Sequence, residues 1–440
     1  MWRERVVSFA RTDVGVKRSH NQDAYGIRMA ANDAAWRRRG HVFVVADGMG
    51  AHAVGELASK MAVQAIEHTY PRLKDDDPKE ALKTAFTFAN DTIHEKGNQN
   101  PEFRGMGTTA TTLVLLPEGA VLGHVGDSRC YRIRRDVIEQ LSYDHSLQWE
   151  LARQKHVTPE EMSHIPSNVI VRSLGPQPEV KTDTAGPYPV QNGDRFLLCS
   201  DGLSGLVTDA EMWAVVNAMP GDEASQFLVD LANLRGGVDN ITLILVQVGE
   251  PNSESAGTPV LERPSMPARL KKTFARIPSE WRYFVAGILT ALSGGLLYWI
   301  GDWRIRTAFF LAALLLLSVA YWTHRRRRKR EERKDFRKAH ETPENPIHRS
   351  RPCTLDRNLI DMAAGAERRL RELAVEQSWR VAWDDLAKCR TAAEAALSEN
   401  KLEVAFRYYC RGVSLLSEGL RKHQDKQEVL IPHWDRAPKG

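Results

Sequence analysis

The stretch HVFVVADGMG at residues 41–50 decides how the first half of the chain reads. Val42 to Ala46 is an unbroken β-branched and apolar run, the mark of a buried strand. Asp47 sits just outside it, and Gly48 lets the chain turn sharply. The same construction recurs in DRFLLCSDGLSG at 194–205, where Asp201 precedes Gly202, and in GGVDNITLILVQV at 236–248, where Asp239 precedes Asn240. Converging strand ends bring carboxylates from distant parts of a chain together. Packed carboxylates repel one another unless a cation lies between them. These three segments therefore predict a site for hard, oxygen-liganded metal ions.

Around them, TATTLVLL (109–116), AVLGHV (120–125), CYRIR (130–134), RFLLCS (195–200) and ITLILVQV (241–248) read as strands. Residues 55–70, 79–95, 146–155 and 209–218 read as helices. This alternation predicts one layered α/β or α+β domain over residues 1–250. The chain has 440 residues and is 42% hydrophobic, enough for a sizeable core and more than one domain. Its net charge of +5 is uneven, because RRRRKREERK at 325–334 supplies much of the local excess. The average therefore gives no reason to expect a nucleic-acid partner. The five cysteines are scattered and form no C-x-x-C pair, which argues for reduced thiols and against a zinc site or disulfide framework. MWRERVVSFARTDVG at the N-terminus is charged and unlike a signal peptide.

Residues 251–280 begin with a Pro-, Ser- and Gly-rich linker. Two uncharged apolar runs follow, YFVAGILTALSGGLLYWI (283–300) and TAFFLAALLLLSVAYWT (307–323), with Trp281, Trp299, Trp303 and Trp322 near their ends. They predict a transmembrane helical hairpin over 281–324. Lys271, Lys272, Arg276 and Arg282 precede it and the basic segment 325–350 follows. Arg304 and Arg306 in the connector do not outweigh them. By the positive-inside rule both flanks are cytoplasmic, which expects a multi-pass protein of the cell (inner) membrane. The basic run reads equally as a contact to anionic lipid and as a plain stop-transfer flank. Residues 351–440 read as helical, over 359–373, 379–398 and 401–422. Leu397, Leu402, Ala405, Tyr409 and Gly412 have tetratricopeptide-like spacing, although a single such unit fits an ordinary bundle as well.

Further motifs stand in a fixed order along the first domain: TDVGVKRSHNQDA (12–24), GMGTT (105–109), GHVGDSRCY (123–131), SYDHSL (142–147) and VIVRSLG (169–175). With the three aspartate segments, this series resembles the metal-dependent serine/threonine protein phosphatases of the PPM or type 2C family, in their bacterial form, over roughly residues 5–249. The resemblance implies a central β-sandwich flanked by helices. It also implies two Mn²⁺ or Mg²⁺ ions that hold a bridging hydroxide for in-line attack on phosphorus. On that pattern Asp47 bridges the ions, the Gly48 carbonyl binds one of them, and Asp201 and Asp239 hold the other. Asp23 hydrogen-bonds metal waters, and Arg18 grips the substrate phosphate with its planar fork. Asp127, together with Asp201, matches a third-metal site, or else only caps its turn. His52 matches the proposed general acid. Asn240 is expected to position Asp239, and Thr108 and Thr109 to support the sheet beside the site.

Three positions depart from the pattern. Gln22 stands where Glu is frequent, which predicts altered metal affinity, and Ala51 and Val54 replace frequent glycines beside Asp47. The segment between Asp144 and Arg172 matches the family's flap, where substrate choice is set. The resemblance implies a phosphatase of phosphoserine and phosphothreonine proteins, Ser/Thr kinases among them; with the apolar runs it is expected to be membrane-anchored, and the C-terminal helices are expected to recruit a protein partner. A catalytically silent phosphoprotein-binding scaffold would have lost metal aspartates, and Asp23, Asp47, Asp201 and Asp239 are all kept. A phosphatase dedicated to a sigma-factor regulatory phosphoprotein has the same chemistry and stays open.

Overall fold

The structure, a computed structural model, describes residues 3–50, 53–74, 77–249 and 348–430. The linker, both apolar runs, the basic segment as far as residue 347, Ala51 and His52 lie outside the described residues. Among the described residues no helix is long and apolar enough to cross a membrane. The described residues belong to one compact unit, made of residues 1–253 and 345–440.

Two antiparallel sheets form its centre. The first has the order β1 (Val6–Asp13), β11 (Ile241–Val248), β10 (Arg195–Cys199), β7 (Arg129–Arg134), β8 (Val137–Gln140) and β12 (Arg349–Pro352). The second has the order β2 (Asp23–Arg28), β3 (His41–Met49), β5 (Ala110–Leu116), β6 (Gly119–Val125) and β9 (Asp183–Tyr188), with β4 (Gly107–Thr108) paired to the end of β3. The apolar runs are continuous because both faces of each sheet are covered. In β3, Phe43 and Val45 point between the sheets to meet Phe196, Leu198, Ile244 and Val246. Val42, Val44 and Ala46 point outward, to the core under α2 (Ala53–Thr69) and α3 (Pro78–Gln99). On the other side α6 (Asp209–Ala218) and α7 (Gly221–Leu234) cover Leu243 and Leu245 of β11. The result is a sandwich of two sheets between helical layers.

Several elements escape the periodicity reading. They are β1, β2, β4, β8, β9, α7, the short helices α1 (Asp33–Arg39) and α5 (Asp201–Ser204), and β12. Of these, β2 (DAYGIR) and β12 (RSRP) are short and polar, held by a ladder and not by their own burial. The strand β12 also corrects the expectation of an all-α C-terminal region: it is the edge strand of the first sheet, paired Arg349 to Gln140 and Pro352 to Val137.

The helices α8 (Arg357–Glu376), α9 (Trp383–Ser398) and α10 (Leu402–Leu430) follow it. Gly412 allows the close approach its spacing suggested, since a Cβ there would lie 3.3 Å from Leu386 and 3.4 Å from Glu367. The three helices continue the core of the first domain. Ile360, Ala363, Ala393, Phe406, Cys410 and Val413 share one buried cluster with Phe227, Leu228 and Met219. Around it Arg411 pairs with Glu223 at 2.6 Å, Arg421 with Asp230, and Arg407 donates to the Ala218 carbonyl at 2.5 Å.

Candidate active site

The ends of β2, β3, β10 and β11 meet at one edge of the sandwich, and each delivers an aspartate. Asp23 and Asp47 are register partners across β2 and β3. Asp201 opens α5 immediately after β10, and Asp239 precedes β11. The turn between β6 and β7 adds Asp127. Tight backbone packing fixes these turns. A Cβ on Gly48 would lie 2.1 Å from the Gly55 carbonyl oxygen, and one on Gly202 would lie 2.0 Å from the Asn240 oxygen. The Asp-Gly pair at 201–202 is therefore stacked on the Asp-Asn pair at 239–240, with no room for a side chain between them.

Neutral hydrogen bonds hold the acid-bearing backbone. The Asp47 N–H donates to Thr109 Oγ1 at 2.9 Å, and Thr108 Oγ1 donates to the Asp47 carbonyl at 2.8 Å. Thr109 Oγ1 in turn meets Ser128 Oγ beside Asp127 at 2.8 Å. The two threonines thus support the site as expected. Asn240 does more than position Asp239. Its backbone N–H donates to Asp239 Oδ1 at 2.8 Å, and its amide donates to the Val14 and His20 carbonyls. It accepts from the Gln22 N–H at 2.8 Å, so it pins the loop that carries Arg18. Gln22 is a structural hub: its amide donates to the Gly50 carbonyl at 3.1 Å, and its own carbonyl accepts from Gly48 N and Ser59 Oγ. Val54 packs against the core under α2.

The electrostatics are those of an acidic cluster in which carboxylates outnumber the nearby arginines, Arg18 and Arg129. Asp23 and Asp127 are buried, while Asp47, Asp201 and Asp239 are partly so. Burial, then Asp23, Asp201, Asp127 and Asp239, push Asp47 well above the ordinary carboxylate range. Burial raises Asp23 to about 7, with Asp201 and Asp239 adding to it. Burial followed by Asp201 raises Asp127, and burial followed by Asp239 raises Asp201. Asp23 Oδ1, Asp127 Oδ1 and Asp201 Oδ1 are buried with no hydrogen-bond partner. Orphaned carboxylate oxygens of this kind are what a hard cation satisfies. Among the described residues no three His, Cys, Asp or Glu side chains form a complete metal cage. A cation here would fill its shell with carbonyls and water, as Mg²⁺ does. The residues thus fit divalent ions held by few carboxylates.

Arg18 stands at the rim, half exposed, and donates to Asp239 Oδ2 at 2.7 Å. It is an ion pair with one of the expected ligands. Two residues without an assigned role in the sequence reading also belong to the site. Ser200 Oγ donates to Asp23 Oδ2 at 2.8 Å, and its position just before Asp201 was the available signal. His145, fully buried, accepts from the Gly126 N–H through Nδ1 at 3.0 Å and meets Asp183 Oδ2 through Nε2 at 3.1 Å, so it steadies the Asp127 turn. It lies in SYDHSL, but only folding brings Gly126 to it.

The family model for protein phosphatase 2C matches residues 16–230. The protein phosphatase PhpP of Streptococcus pneumoniae is 36% identical over 248 residues, which are 55% of this chain and 98% of that one. The serine/threonine phosphatase stp of Listeria monocytogenes is 34% identical over 243 residues, 54% of this chain and 94% of that one. The crystal structure of the Mycobacterium tuberculosis serine/threonine phosphatase PstP/Ppp superposes with a TM-score of 0.50 at 30% identity, covering 56% of this chain and 99% of that one.

Proposed function

The chain belongs to the protein phosphatase 2C family and is a protein serine/threonine phosphatase, and from that premise we propose that it hydrolyses phosphoserine and phosphothreonine proteins with divalent cations held at the aspartate cluster, while anchored in a membrane. The observation that carries this reading is the meeting of Asp23, Asp47, Asp127, Asp201 and Asp239 with three orphaned buried oxygens among them. Asp47, the Gly48 carbonyl, Asp201 and Asp239 would hold two Mn²⁺ or Mg²⁺ ions, and Asp127 with Asp201 a third. Such ions supply positive charge to the phosphate and lower the pKa of water so that it can attack phosphorus near neutral pH.

The chain's own residues do the rest. Arg18, once released from Asp239, presents a planar fork that matches two phosphate oxygens and orients the ester. Asp23 offers its unpartnered Oδ1 as a hydrogen-bond acceptor to water, while Ser200 fixes Oδ2. His52 is assigned proton donation to the leaving serine or threonine oxygen. The flap between Asp144 and Arg172 borders the cluster and selects among phosphoproteins, autophosphorylated kinases being the first class to try.

Membrane anchoring rests on the two uncharged apolar runs within 281–324 and their basic flanks. The catalytic domain and the C-terminus are assigned to the cytoplasmic side, and reporters fused to both ends check this, since one end outside the cell overturns it. A partner of the C-terminal helices would meet their outer faces, where Leu373, Val375 and Trp383 are exposed.

The deciding experiment follows phosphate release from a phosphothreonine peptide by the full-length protein in detergent, with and without Mn²⁺, beside Asp47→Asn. Metal-dependent turnover that the variant loses by at least about 100-fold supports the mechanism. Equal turnover by the variant, or turnover indifferent to a chelator, sinks it.

A further inference from the structure

The flap and the C-terminal segment touch, and the contact is specific. The flap consists of α4 (Leu147–Lys155) and a 3-10 turn at Pro159–Met162 that carries Glu160. Glu160 Oε1 accepts from Arg351 Nη2 at 2.7 Å and also from Arg349 Nη2. Both arginines lie on β12, and they are next-but-one neighbours, so they point to the same face of the strand. The same pair approaches Asp209 at the start of α6, at 3.5 Å from Arg349 and 3.6 Å from Arg351. The strand is not free to follow the flap. Its ladder to β8 runs from Arg349 to Pro352, and it is extended by His348 N to the Gln140 carbonyl and Cys353 N to the Asp136 carbonyl. His348 also lies edge-on to Tyr143, at 5.3 Å between ring centres, just before the flap begins.

The flap is wired into the aspartate cluster at both its stems. On the entering side His145 exchanges hydrogen bonds with Gly126, beside Asp127. On the leaving side Leu174 and Thr108 exchange backbone hydrogen bonds at 2.9 and 3.0 Å, and Thr108 holds the Asp47 carbonyl. Arg172 pairs with Asp183 at 2.9 Å and lies 4.0 Å from Glu150 on α4. Movement at the flap's tip is therefore delivered to a frame that already touches two of the acid-bearing turns. Trp149, Ala152 and Met162 bury the underside of α4 and the 3-10 turn, and Glu160's ion pairs add the tie from the exposed side of that turn to the sheet edge.

We propose that β12 is a latch on the flap: Arg349 and Arg351, fixed on the sheet edge, hold Glu160 and so set how a phosphoprotein reaches the aspartates. The proposal rests on the phosphatase reading for its consequence, but the latch itself is a mechanical claim. Being made of half-exposed ion pairs, the latch weakens with ionic strength. It couples the segment after the apolar runs to substrate access without touching a catalytic residue.

The test is a double-mutant cycle, Glu160→Ala, Arg351→Ala and both together, in the full-length protein in detergent. Hydrogen exchange of the 147–165 amides is read beside turnover of p-nitrophenyl phosphate and of a phosphothreonine protein. Each single change is expected to speed flap exchange about 3- to 10-fold, and the double change to add little, while β8 and β12 exchange stays as it was. KM for the phosphoprotein should shift at least 3-fold, with kcat for the small ester within 2-fold of the parent. Flap exchange unaltered by either variant, additive effects of the two, or a small-ester kcat that moves in step with the phosphoprotein KM would each overturn the latch. If the parent turned over neither substrate while the non-additive exchange changes persisted, the latch would stand and the phosphatase reading would fall.

Discussion

Asp23 and Asp47 face each other as paired residues of the β2–β3 ladder, and both titrate above the ordinary carboxylate range. Like charges directly opposite one another in a sheet oppose its formation. The sequence DGMG at the end of β3 thus trades stability for charge density. Nothing in the local packing requires an acid at position 47, because the Thr108 and Thr109 bonds grip its main chain and not its carboxylate.

Asp47→Asn should therefore stabilise the chelated protein while abolishing its catalysis. Removing one of two opposed charges is worth about 1 kcal/mol, or about 2–4 °C in Tm for a domain of this size. The sign against pH follows from the raised values. A carboxylate whose folded pKa is raised gives stability at low pH that is lost as pH rises through that pKa. For Asp23, at about 7, the loss begins near the unfolded value of about 4 and is complete just above pH 7. Thermal melts in a chelator should show the parent weakening over that range and the variant weakening less. A variant that melts lower than the parent at pH 8 contradicts the account.

Arg18 occupies Asp239 in this structure, so a cation and Arg18 compete for one carboxylate. Arg18→Ala is expected to raise KM for a phosphopeptide at least 10-fold through loss of the fork. The same change should tighten Mn²⁺ binding by only about 3-fold, because the pair is half exposed and worth under about 1 kcal/mol. Calorimetric titration with Mn²⁺ separates the two effects. Weaker metal binding in the variant would mean that Arg18 supports the ions and does not compete with them.

How far the sequence carried these conclusions depended on what kind of signal each residue leaves. The runs ending at Asp47, Asp201 and Asp239 were readable because a strand buried on both faces is apolar without interruption, and its first polar residue marks the edge. Gly48 and Gly202 were readable as turns, but their reason was not: each is required by a backbone oxygen about 2 Å from its missing Cβ, contributed by residues distant in the chain. Arg18 was placed at the site through its motif, while its pairing with Asp239 depends on a loop pinned by Asn240. Strand β12 left almost no signal, since RSRP has neither alternation nor apolar content and exists only because β8 offers an open edge. The C-terminal helices were legible one by one from their spacing. That their buried face continues the core beneath α7 was not, because an amphipathic stripe does not name its partner.

Acid should act on the sandwich through His124. It is fully buried between Thr111 Oγ1 at 2.9 Å and the Tyr143 carbonyl at 2.8 Å, and burial, then His145, lowers it to about 3. A histidine with a depressed pKa contributes stability that is whole above its unfolded value near 6.5 and drains away as pH falls toward 3. The slope is about 1.4 kcal/mol per pH unit. His124→Gln should cost stability at pH 7.5, where it spoils packing and a hydrogen bond, yet flatten the decline between pH 6.5 and 5. Urea midpoints at those three pH values decide the matter, and parallel pH profiles for parent and variant would remove His124 from the explanation.

The C-terminal helices are joined to the first domain by apolar contact more than by charge. Arg411 with Glu223, and Arg421 with Asp230, are the visible links, but Arg411, Glu223 and Arg421 are between a third and two-fifths exposed. Truncating Arg411 to alanine should cost under about 1 kcal/mol. Phe406 is 1% exposed in a cluster that contains Phe227 and Leu228 of α7, and Phe406→Ala should cost about 3–5 kcal/mol through lost burial and the cavity left behind. A chain ending at residue 250 loses Ile360, Phe406, Cys410 and Val413 together and bares the outer side of α6 and α7. It should melt well below the full-length protein and bind a hydrophobic dye. Arg411→Ala proving as damaging as Phe406→Ala would show that the ion pairs, and not the shared core, keep the helices in place. A residue 1–250 fragment melting with the full-length protein would show that the core beneath α7 closes without them.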